Sequence, residues 1–312
     1  IEESDEGTYC SSNNNFDYII ASGKGNIMVE QTDLCVSIYD NQHNRPYTQS
    51  QLKKQYKAKH LGRPYDTSIH ERCSDHVPVF SRLNIHTNTS ETTSLGVINW
   101  NVMTQGASRT WEAELIDIQK NDVCNMLGKF MSINTHHPKY NIDIMCLQEF
   151  NIPPKNIINV YTVMNLSNYF KDNDIPIQVL KLEHILKDKS KISHLTKTQR
   201  DNTWVLLSNQ NTKLKFNAGN AILVRLNIIN KNYLKQLTKE THDSMRINLE
   251  KNVPDSISSS TVLLTKHERG TIFNINTNIF CIHDNYALKP TTHTKYTKHA
   301  RRVEESDIIE ML

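Results

Sequence analysis

A chain of 312 residues is long enough to bury a substantial core, as one large domain or two modest ones. Its 36 basic and 33 acidic residues leave a formal charge of only +3, which excludes bulk electrostatics as the means of holding a polyanion and requires any anionic partner to be recognised locally. Six scattered cysteines, without a C-x-x-C pair or zinc-type spacing, argue for a reducing compartment over a disulfide framework, and no apolar run reaches the roughly 20 residues that span a bilayer.

Taken in chain order, residues 16–22 (FDYIIAS) and 77–85 are short apolar runs bounded by Asn, Gly, Ser or Asp, which predicts buried strands. The Lys- and Gln-rich stretch 41–72 between them predicts a long surface loop with a short helix around 50–59. Residues 86–94 (HTNTSETTS) carry no large apolar side chain and read as a flexible linker, dividing the chain into 1–85 and 95–312. A strand is predicted over 95–102, and Trp111, Leu115, Ile118, Val123, Leu127 and Phe130 recur at helical spacing. Residues 142–147 (IDIMCL), 219–226 (GNAILVRL) and 279–282 (IFCI) repeat the buried-strand pattern, 187–202 has a low-complexity flavour, and 301–312 predicts an amphipathic helix. Strands interleaved with long helices predict an α/β architecture. The chain reads as soluble and intracellular, cytoplasmic or nuclear, and its start at Ile1 without a Met reads as a piece of something longer.

Four blocks place carboxylates, amides or imidazoles at the end of a buried strand, where a rigid scaffold aims them into a cleft. They are FDYI (16–19), SDHVP (74–78), NWNV (99–102) and CLQEF (146–150), with FCIHDN (280–285) as a weaker fifth. Phosphoester hydrolysis needs a hard cation on oxygen ligands, an aimed water, and donors facing the non-bridging oxygens. Glu149 can present a carboxylate to Mg²⁺ with the Asn101 amide oxygen beside it; alone, it better suits an ordinary solvent-facing strand end. Asp75 and His76 are adjacent, so on extended backbone one can reach the metal while the other faces the phosphate, although an isolated SDH tripeptide also suits a plain loop. His76 needs a carboxylate behind it, for which Asp17 is the natural candidate. His283 can donate to a phosphate oxygen or serve as a satisfied structural histidine. Lys53, Lys54, Lys57, Lys59, Arg63 and Arg72, just upstream of SDH, can line a path for a nucleic-acid backbone or form a solvated face. A zinc module is disfavoured, because the fourteen histidines and the unpaired cysteines show no ligand spacing.

Together NWNV, CLQE, GNAILVR, a His ending an apolar strand, DYI and SDHVPV resemble the blocks of the endonuclease/exonuclease/phosphatase superfamily, which includes DNase I-like nucleases, abasic-site endonucleases, inositol polyphosphate phosphatases and poly(A) deadenylases. The resemblance implies a DNase I-like four-layer α/β sandwich, two packed and mainly antiparallel β-sheets flanked by helices. In it, 1–85 supplies the family's C-terminal part and 95–312 its N-terminal part, together forming one domain. It implies Asn101 and Glu149 at the metal, Asp75 near metal and water, His283 on the phosphate, and Asp17 supporting His76. The implied cofactor is Mg²⁺, with Mn²⁺ as its substitute. The implied activity is that of a metal-dependent phosphodiesterase or nuclease whose phosphoester substrate is nucleic acid.

The chain departs from the family in two ways. SDHVPV at 74–79 precedes NWNV at 99–102, the reverse of family order, which fits either a circular permutant or a piece cut from a tandem protein. The family's G-D-x-N block, whose Asp positions or deprotonates the attacking water, has no match in this sequence; the nearest candidate, Asp284 with Asn285, directly follows His283 and is misplaced. Losing such a base lowers turnover about 10²- to 10⁴-fold, so weak or absent hydrolysis is expected of the chain alone. The long spacer between Asn101 and Glu149, and the segment FNAGNAILVR, are most similar to the deadenylase-type branch, whereas 66–73 lacks the W-C-D-R-like segment of inositol phosphatases. The rival expectation is a catalytically impaired member that binds nucleic acid or a protein partner.

Overall fold

The computed structural model describes residues 19, 21, 26–34, 47–86, 91–103, 111–132, 141–151, 163–209, 219–250, 257–268 and 270–282. The predicted helix 301–312 and most of the predicted strand 16–22 lie outside the described residues, as do Asp17 and His283.

Seven strands form one mixed sheet: β1 Asn26–Leu34, β2 Val79–His86, β3 Thr92–Asn101, β4 Ile144–Asn151, β5 Gln178–Lys181, β6 Thr203–Asn209 and β7 Gly219–Arg225, in the spatial order β1-β2-β3-β4-β7-β6-β5. β3 and β4 are parallel neighbours, and such a pair needs a crossover. Helix α1 (Gln49–His60) precedes it, and helix α2 (Ala113–Met131), whose apolar residues recur at helical spacing, supplies the crossover. β2 is antiparallel to β3, so strands from both sides of residues 86–94 share one sheet. A separate antiparallel hairpin joins β8 Ile257–Glu268 to β9 Thr271–Ile282 through Gly270, whose φ of 86° suits only a residue without Cβ.

The alternation of side chains along each central strand divides the core in two. Ile98, Trp100, Met145, Leu147 and Leu223 face one side, with Val123, Leu127 and Phe130 of α2 and with Leu166 and Phe170 of helix α3 (Val163–Asp172). Val97, Cys146, Ile222 and Val224 face the other, with Val262, Leu264, Ile279 and Cys281 of the hairpin. Because both faces are covered, these strands read as continuous apolar runs. Arg225, buried at the end of β7, donates to the carbonyl oxygens of Ile142, Met131 and Asp201 and stacks 4.6 Å over Trp204. It thereby ties the C-terminus of α2 to the start of β4.

Two sequence expectations are corrected. Within residues 41–72 the short helix expected around 50–59 is present as the twelve-residue α1, opened by a Thr48/Gln51 capping box, whereas the surface-loop expectation is corrected by a 3₁₀ turn at Thr67–Glu71 and by burial. Leu52, Tyr56 and Ile69 bury against Trp111 and against Leu115 and Ile116 of α2 in a third small core; a polar average had concealed an i, i+4 pair. Residues 86–94 read as a flexible linker, but among the described residues of that stretch His86 and residues 92–94 belong to strands. β2 runs through His86 and β3 starts at Thr92, the two residues pair, and the Thr93 hydroxyl donates to Glu268 at 2.9 Å. Thr and Ser lack apolar bulk yet fit a pleated surface, which is why composition alone misled.

Short helix α4 Leu182–Lys187 leads into the low-complexity stretch, which holds α5 Ser190–Ser193 and α6 Lys197–Asp201, and among the described residues α7 Lys231–Gln236 and α8 Lys239–Glu250 follow. No helix among the described residues is long and apolar enough to cross a membrane.

Candidate functional site

The register of β3 on β4 sets Trp100 against Leu147 and Asn101 against Gln148, so the NWN and LQE blocks end side by side. Both lie at the carboxyl ends of parallel strands, where open α/β sheets place their ligands. At this point β4 leaves its ladder: residues 147–151 span only 219–221 of β7. Inside that bulge Glu149 adopts φ 52°, a left-handed conformation that is costly for any side chain bearing Cβ. Met103, just past the end of β3, has φ 59°. Two strained residues flanking Asn101 mark a place where geometry is held against local preference.

The strain turns Glu149 toward Asn101, whose Nδ2 donates to Glu149 Oε1 at 3.3 Å. The amide oxygen, expected beside Glu149, instead accepts the Met103 N–H at 2.9 Å.

The Ser-Asp-His segment lies against the same strand end. Ser74 Oγ donates to the Asn101 carbonyl at 2.6 Å and accepts the His76 N–H at 3.1 Å, while the Trp100 indole N–H donates to the His76 carbonyl at 3.1 Å. Asp75 is buried and His76 half-buried. From α2, Gln119 Nε2 donates to the carbonyls of Cys73 at 2.8 Å and Val102 at 3.2 Å. Of the predicted site residues, the structure thus brings the SDH segment, Asn101 and Glu149 to one sheet end.

Beneath them, Gln148 Nε2 donates to Asn99 Oδ1 and to Cys281 Sγ, Asn220 Nδ2 donates to the Cys281 carbonyl at 2.9 Å, and Ser258 Oγ donates to the Asn220 carbonyl at 3.3 Å. The end of the hairpin is therefore strapped to the large sheet directly below Glu149. Sequence reasoning missed Ser74, Gln119, Gln148 and Asn220 as framework. Gln119 had left one signal, a polar residue interrupting the apolar stripe of α2 between Leu115 and Val123.

Oxygen-only donors at Glu149, Asp75 and Asn101 suit a hard cation. Among the described residues no three His, Cys, Asp or Glu side chains gather as a ready-made metal cage. Mg²⁺ fits the donors present nonetheless, since it typically keeps several waters and takes one or two carboxylates. Among the described residues, burial pushes the Cys73 and Cys281 thiols well up and the Cys124 thiol to about 12, which disfavours the nucleophilic thiolate at these three positions.

The basic row upstream of SDH is only partly available. Lys53 pairs with Glu112 at 3.5 Å and Lys59 with Asp122 at 3.1 Å. Arg72, expected to line a backbone path, is 1% exposed, 5.0 Å over the Tyr47 ring and 3.8 Å from Asp66. Lys54, Lys57 and Arg63 are exposed. No family model, curated protein or solved structure matches the chain.

Proposed function

We propose that the chain is a Mg²⁺-dependent phosphodiesterase or nuclease of the endonuclease/exonuclease/phosphatase type, acting on nucleic acid inside the cell. The observation that carries this reading is the line of contacts from Ser74 through Asn101 to Glu149, which joins three sequence blocks from distant stretches at one sheet end. The accompanying fold is the four-layer sandwich, with the hairpin β8–β9 as part of the second sheet.

On this reading Glu149 and Asp75 hold Mg²⁺ with Asn101, and Mn²⁺ substitutes for it. Bound there, the cation polarises the phosphoryl group and offsets the charge that develops on its oxygens. Asn101 aims the Glu149 carboxylate by donating to Oε1. His76, with its backbone fixed by Ser74 and Trp100, faces the substrate side, supported by Asp17, and His283 donates to a phosphate oxygen. Exposed Lys54, Lys57 and Arg63 attract the nucleic-acid backbone.

Calorimetric titration with Mg²⁺, followed by hydrolysis of bis(p-nitrophenyl) phosphate, tests the proposal. Wild type is expected to bind and to turn over slowly, and Glu149→Gln to do neither. Binding unaffected by that substitution overturns the assignment. A second reading, a non-hydrolysing binding module, is favoured by the unmatched G-D-x-N block; it predicts retained nucleic-acid affinity with no metal-dependent turnover.

A further inference from the structure

We infer that Gln119 is a positioning residue, holding the Ser74–Asp75–His76 segment in register with Asn101 so that Asp75 and Glu149 face one cation. The inference rests on the metal reading above. Gln119 is fully buried, in the α2 stripe otherwise built from Leu115, Ile116 and Val123. A primary amide in such a place is destabilising unless its donors are satisfied. Its nitrogen donates to two carbonyls, at 2.8 and 3.2 Å. One belongs to Cys73, the residue before Ser74; the other to Val102, the residue after Asn101. Gln119 therefore spans the two site-bearing segments from the helix side, while Ser74 Oγ spans them directly at 2.6 Å.

A terminal amide suits this task because one nitrogen carries two N–H donors splayed apart, able to bridge two acceptors. Methionine keeps the shape and supplies neither donor. An ionised glutamate turns only acceptors toward two carbonyl oxygens, whereas a protonated one restores a single donor. Loss of the bridge frees Asp75 to shift relative to Glu149, and removing a group that orients metal ligands typically lowers affinity about 10- to 100-fold.

The test is Mn²⁺ affinity of the full chain, read by electron paramagnetic resonance, with thermal unfolding measured in parallel. Gln119→Met is compared with Leu234→Ala, a cavity variant in α7, in the cluster under the hairpin, that lowers stability without touching either segment. Wild type is expected to bind Mn²⁺, Gln119→Met about 10-fold or more weakly, and Leu234→Ala as wild type despite its lower Tm. Gln119→Glu is expected to be weak at pH 8 and to approach wild type at pH 5.5, where its buried carboxyl takes up a proton; it decides the matter if the Met variant does not fold. Equal affinity of Gln119→Met and wild type, equal losses in Gln119→Met and Leu234→Ala, or a pH-independent ratio for Gln119→Glu overturns the positioning role. A wild-type chain without Mn²⁺ affinity refutes the metal reading itself, and the positioning role with it.

Discussion

Replacing Glu149 by glycine and, separately, by alanine reads the strain at the candidate site. Both substitutions remove the carboxylate and its bond from Asn101, so the difference between them isolates the backbone. At an ordinary strand position glycine is less stable than alanine by about 0.5–1 kcal/mol, because it loses more freedom on folding. At φ 52° alanine instead carries a left-handed penalty of about 1–2 kcal/mol that glycine escapes. The two effects oppose, leaving Glu149→Gly more stable than Glu149→Ala by about 0.5–1 kcal/mol, or about 1–2 °C in Tm for a chain of this size. Urea unfolding in EDTA measures the difference, and Mn²⁺ titration shows both variants losing affinity. Glycine at or below alanine in stability would refute the argument that tertiary structure holds Glu149 against its backbone preference.

Arg225→Met strands buried carbonyls at Met131, Ile142 and Asp201 and is expected to cost on the order of 3–5 kcal/mol; Trp204 fluorescence during denaturation checks it, and a loss under about 1 kcal/mol contradicts the clamp. A Cβ added at Gly96 would lie 1.9 Å from the Asn141 carbonyl oxygen, so Gly96→Ala is expected to cost about 3 kcal/mol in the same assay, against near-neutrality if the backbones can part. Burial raises Cys124 from its ordinary 9.0 to about 12 and Tyr169 from 10.0 to about 12, so the native state keeps its protons longer than the unfolded chain. Stability is then fully present below about pH 9 and declines toward pH 12. Denaturation midpoints at pH 7, 9 and 10.5 measure the fall, and Cys124→Ala is expected to flatten its first part.

Much of the central sheet could be read from the chain because burial on both faces leaves its mark locally. The runs in β3, β4 and β7 are continuous precursors of strands covered on two sides, and the α2 stripe repeats with the helical period. Polar strands leave a weaker mark: the start of β3 and most of the hairpin are rich in Asn, Ser and Thr, and their pairing supplies what their side chains do not announce. Blocks at strand ends were visible for the same local reason, so Asp75, His76, Asn101 and Glu149 could be named in advance.

Their companions could not. Whether Asn101 meets Glu149 depends on the parallel register of β3 on β4, and whether Arg72 faces solvent depends on how Tyr47 and Asp66 close around it. Gln119 acquires its partners only when segments far apart in sequence converge on its amide. The sequence by itself determined which stretches are apolar enough to be buried and which polar groups sit at their ends. Tertiary structure alone decided which of those ends meet, because register, crossover and bulge are relations between strands, and no single strand carries them.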